Sequence, residues 1–148
     1  MEVLQANSYC MECRQWVTDG SKHECPIKHR ALIDTNMSGV ADRLYALGVV
    51  PMIAFYGFSN DADDTYRLRI SIDLHQSFIH EVLGGLPRGW EYCRDDGRIN
   101  SLEFNDWHSC FEEDADARVS EIIKEFEEFL DSRDIEGTRA LTLLAGDQ

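Results

Sequence analysis

The sequence predicts an α+β fold in which an antiparallel sheet of about four strands packs with helices and the chain ends in two further helices. Three observations predict it. The run "TYRLRISIDL" (residues 65–74) alternates apolar and polar residues without a break. Two stretches, from Thr35 and from Asp116, repeat apolar residues at helical spacing. A knot of cysteine and histidine near the start, "YCMECRQWVTDGSKHECPIKHR" (residues 9–30), has the spacing of a metal site. These divide the chain into a small zinc-binding module, residues 1–33, and an acidic α+β domain, residues 34–148.

The elements follow in order. From Thr35, the residues Met37, Val40, Ala41, Leu44 and Leu47 fall on one helical face, and Gly48 stands where a C-terminal cap belongs. Pro51 to Phe58 reads as a buried strand, and "SNDADD" (59–64) as a polar loop. In the next strand Tyr66, Leu68, Ile70, Ile72 and Leu74 face one way, while Arg67, Arg69, Ser71 and Asp73 face the other, toward solvent or a binding partner. A short helix is expected over Ser77–Leu83, ended by Gly84 and Gly85. Trp90–Cys93 and Ile99–Phe104 read as strands joined at Asp95-Asp96-Gly97, a hairpin signal. The clearest helix covers about 116–131, with Val119, Ile122, Ile123, Phe126, Phe129 and Leu130 as its apolar stripe. A last helix is expected over about 135–145, carrying Ile135, Ala140, Leu141, Leu143 and Leu144.

Charge bounds the partners. The chain of 148 residues has a formal net charge of −14. Residues 1–33 hold four basic and four acidic groups, so all the excess lies in residues 34–148, with 10 basic and 24 acidic groups. Direct binding of that domain to nucleic acid or to an anionic membrane is disfavoured, and a protein partner with a basic surface is favoured. No apolar run is long enough to span a bilayer, and no secretory pattern follows Met1. Five cysteines, an odd number with three clustered, suit a reducing cytoplasm better than a disulfide framework.

Cys10 and Cys13 have the C-x2-C spacing of a metal knuckle, Asp19-Gly20 supplies a turn, and Pro26 after Cys25 suits the first position of a helix. His29 then lies one helical turn beyond Cys25. Over residues 8–33 this pattern resembles the treble-clef type of zinc finger. The resemblance implies a metal and a local fold, with Cys10, Cys13, Cys25 and His29 as ligands and His23 as the competing fourth. Three thiolates and one imidazole would close a tetrahedron around structural Zn²⁺, leaving no open position for substrate. Metal binding would also order a stretch whose larger apolar groups are few, chiefly Trp16, Val17 and Ile27.

Other motifs carry less. His75 and His80 are five apart, about 140° around a helix, which does not place them on one face. "DADDTY" (61–66) lacks the glycine and distal glutamate of a calcium loop. Cys93 and Cys110 read as small buried hydrophobes. Glu121, Glu125 and Glu128 form a row on the face of their helix away from the apolar stripe, joined by Glu127 and Asp131. Such a row suits a solvated face or a docking surface for a basic partner.

The function expected from these residues is that of a non-enzymatic, zinc-stabilised acidic protein. It would bind and regulate or inhibit a protein partner through Glu121, Glu125 and Glu128, occupying a basic surface of the kind that takes nucleic acid. Phage–host and toxin–immunity conflicts are settings such a protein would fit. One alternative is a small hydrolase or nuclease built around His75 and His80. Another is nucleic-acid binding by the neutral zinc module through Arg14, Lys22, Lys28 and Arg30.

Overall fold

A computed structural model describes residues 7–17, 25, 30–62, 65–78, 80–95, 97–106 and 110–146. Its strands, in chain order, are β1 (Asn7–Cys10), β2 (Gln15–Trp16), β3 (Arg30–Ile33), β4 (Pro51–Ala62), β5 (Thr65–Phe78), β6 (Trp90–Asp95), β7 (Arg98–Asn105) and β8 (Cys110–Phe111). The helices are α1 (Ser38–Ala46), α2 (Ala115–Asp131) and α3 (Ile135–Gly146). The class is α+β, and one mixed sheet runs in the order β2-β1-β3-β4-β5-β7-β6, with β8 beside β5. The sheet has more strands than the sequence predicts because three N-terminal segments and Cys110–Phe111 join it. They are too short for a period-2 signal, and neighbouring strands supply the hydrogen bonds that define them.

The alternation in residues 66–74 sets the two faces of the sheet. Leu68, Ile70, Ile72 and Leu74 are buried, while Arg67 and Arg69 are exposed. On β7, Leu102 and Phe104 continue the buried face, paired opposite Ile72 and Ile70. α1 and α2 pack on each other above this face. They contribute Met37, Val40, Ala41, Leu44 and Leu47 from the α1 segment, and Val119, Ile122, Ile123, Phe126 and Leu130 from α2. All five apolar positions expected from Met37 to Leu47 are buried. Gly48 follows in the left-handed region at φ 89°, where glycine alone escapes the Cβ penalty.

β3 and β4 are the parallel pair, with Leu32 opposite Ile53 and Ile33 opposite Ala54. Parallel neighbours need a crossover, and α1 is that crossover. Asp34 ends β3 buried, and its carboxylate accepts the Tyr56 amide at 2.9 Å. β4 and β5 pair antiparallel as far as Ala62 and Thr65, so strand pairing extends into the expected polar loop.

One expectation needs correction. The short helix over Ser77–Leu83 is instead the end of β5 followed by a single 3-10 turn, His80–Val82. A bulge after Asp73 lets Phe78 pair with Ile99, and this tertiary pairing overrides the local helical pattern. α3 forms over the span expected of the last helix. Ile135 and Leu143 are 51% and 70% exposed, and Thr138 is the buried position among those whose burial is described.

Candidate metal centre

β1 and β2 make a tight hairpin, with Tyr9 opposite Trp16 and Cys10 opposite Gln15. Residues 11–14 form its turn, and Arg14 closes it at φ 56°. A non-glycine residue there costs on the order of 1 kcal/mol, so something must hold the turn closed. Part of the answer is the knuckle bond: the Cys13 amide donates to Cys10 Sγ at 3.4 Å. The rest of the answer is the third cysteine.

The Sγ atoms of Cys10, Cys13 and Cys25 all lie within 4.8 Å of one another. Cys13 and Cys25 are nearest, at 2.9 Å, and all three are free thiols. Thiolates about 2.3 Å from a common tetrahedral ion sit about 3.8 Å apart, so this span fits a single metal ion. Cys10 is wholly buried, Cys25 half-buried and Cys13 exposed. Burial works against a Cys10 thiolate, yet the Cys13 amide and the two neighbouring thiols outweigh it and hold its pKa below the ordinary thiol value. Cys25 is pushed up to about 12, first by its hydrogen bond with Cys13 and then by burial. The cluster thus accommodates one negative charge readily and resists the next, a resistance that a bound cation removes.

Tyrosines tie the hairpin to α1. The Tyr9 hydroxyl donates to both carboxylate oxygens of Asp42, at 2.9 and 3.0 Å. The Tyr45 hydroxyl donates to Glu12 at 2.5 Å, beside Cys13. Burial first, and the facing carboxylate second, push both phenols well above the ordinary tyrosine range. Met11, in the turn itself, is buried among the core residues. Each tyrosine–carboxylate pair spans 33 positions, and no local sequence pattern could have found them.

Of the expected ligands, Cys10, Cys13 and Cys25 are brought together, while His29 and His23 lie outside the described residues, as do the Asp19-Gly20 turn and Pro26. Glu121, Glu125 and Glu128 are all exposed on α2, and among the described residues none has an ion-pair partner. The neighbouring acids differ. Arg43 of α1 bonds Asp131 at 2.9 Å and approaches Glu127 at 3.9 Å, so these two fasten the helices together.

The two histidines weighed for catalysis have separate surroundings. His75 Nε2 lies 3.3 Å from the Arg30 carbonyl, and the His80 ring packs edge-on against Tyr92. Cys93 differs from the expectation of a buried hydrophobe: it is half-buried on the uncovered face, and its thiol donates to Glu103 at 3.0 Å. That face carries a groove of about 610 Å³ at Phe55, Gly57, Arg67, Arg69 and Ser71. The Arg69 guanidinium is bound to Glu103, which neutralises it. No described helix is long and apolar enough to cross a membrane. Comparisons with protein-family models, with curated proteins and with solved structures find no match for this chain.

Proposed function

We propose that the chain is a non-enzymatic, zinc-stabilised acidic protein that binds and regulates or inhibits a protein partner. The observation that carries the metal part is the convergence of three thiols from two segments, the hairpin and Cys25, within 4.8 Å. Three thiolates favour a soft or borderline ion, and Zn²⁺ suits them without redox chemistry of its own. His29 is the proposed fourth ligand and His23 its competitor. With four protein ligands the ion holds chain segments together and offers no site to a substrate.

The binding part rests on charge. A formal net charge of −14 accompanies Glu121, Glu125 and Glu128, exposed along one face of α2. Arg43 already engages Glu127 and Asp131, so the row itself is left to solvent or to a partner with a basic surface. A surface that takes nucleic acid would offer matching cations. The test is affinity capture from lysate with the whole chain and with a variant carrying lysine at 121, 125 and 128. A basic protein captured by the first, released by moderate salt and lost with the second, supports the reading. Equal capture by both chains overturns it.

A further inference from the structure

We propose that Cys13 and Cys25 are an oxidant-responsive dithiol, whose disulfide expels the metal and is reversed by a thiol reductant. The metal half rests on the zinc reading above, and the dithiol half on geometry alone. Within the triad the three sulfurs are not equivalent. Cys13 Sγ and Cys25 Sγ lie 2.9 Å apart, whereas a sulfur–sulfur bond is about 2.0 Å, so closure needs a movement of about 1 Å. Cys13 is exposed and Cys25 half-buried, so a small oxidant reaches both. Cys10 is 0% exposed and its sulfur accepts the Cys13 amide, which keeps it out of reach.

The chemistry balances with a peroxide as oxidant. The Cys13 sulfur attacks the peroxide, the O–O bond breaks, and Cys13 sulfenic acid and one water form. The Cys25 sulfur then attacks the sulfenic sulfur, the S–S bond forms, and the hydroxyl leaves as a second water. Two thiols are oxidised and one hydrogen peroxide is reduced to two waters. From the metal-bound state two protons are taken from solvent and the ion leaves unchanged in oxidation state. Two of its three thiolates are lost, and what remains is too few ligands to hold it.

The purified chain, carrying whatever metal it holds, is titrated with hydrogen peroxide while a chromogenic chelator reports released metal. Samples are then denatured, alkylated, digested and mapped by mass spectrometry. One equivalent should remove two thiols, join Cys13 to Cys25, leave Cys10 open to alkylation and release the metal, with dithiothreitol restoring both thiols. Participation of Cys10 in the disulfide, conversion of Cys13 to sulfinic acid without a cross-link, or thiols unchanged at peroxide doses that oxidise free glutathione would each overturn the proposal. A Cys13–Cys25 cross-link in a chain that carries no metal would uphold the dithiol and defeat the zinc reading instead.

Discussion

The two edges of the sheet are held by different physics. At the β6 edge, Trp90 stacks on Phe126 with ring centroids 4.0 Å apart, and Phe126 is wholly buried on the inner face of α2. At the β2 edge, Tyr9 meets Trp16 at 4.8 Å, but Trp16 is 38% exposed and β2 is only two residues long. Burial of apolar surface accounts for the first edge. At the second, Tyr9 and Met11 also reach the core, but a strained turn at Arg14 is closed in addition by sulfur contacts and two tyrosine–carboxylate bonds. The lesson is that one continuous sheet can have edges held by different kinds of contact, and under the zinc reading proposed above the order of the β2 edge would depend on a ligand.

The sharpest way to break this comparison is to remove one thiol. Structural zinc contributes on the order of 10 kcal/mol to the segment it folds. Cys13→Ser should therefore cost the chain its metal and free the hairpin amides to exchange, while those of α2 stay protected. Hydrogen exchange with mass spectrometry reads both regions in one experiment. Equal loss of protection in both would mean that the two edges are not separately held.

Phe126→Ala attacks the other edge. Removing a fully buried aromatic that stacks on Trp90 and Phe129 should destabilise the fold by about 3–5 kcal/mol in chemical denaturation, with metal content retained. Arg118→Ala is a smaller blow to the same region. It leaves the carboxylate of Asp106, 6% exposed, without a cation now 2.7 Å away, at a cost of about 1–3 kcal/mol. The smallest effect has the opposite sign. Arg14→Gly places glycine where φ is 56° and should raise thermal stability by up to about 1 kcal/mol, and only while the hairpin is formed. In metal-free protein that gain should vanish.

Legibility in the sequence followed the same division. Where burial decides the structure, the pattern was readable: β5, α1 and α2 lie where alternation or helical spacing places them. Of the candidate metal site, the convergence of Cys10, Cys13 and Cys25 was readable because ligand spacing is itself a local pattern. What could not be read was set by distant partners. β3 is four residues, recognised only through its pairing with β1 and β4. Phe78 extends β5 because Ile99 lies opposite it, against the local suggestion of a helix. α3 was legible as a helix, although Ile135, Leu141 and Leu143 on it are exposed.

The most direct test of the central claim is metal analysis of the native chain, purified without chelator, alongside Cys13→Ser. The account predicts about one zinc per wild-type chain, essentially none in the variant, and three thiols that react with alkylating reagent only after the metal is stripped. A native wild-type chain with no zinc, and with Cys13 and Cys25 freely alkylated, would contradict it.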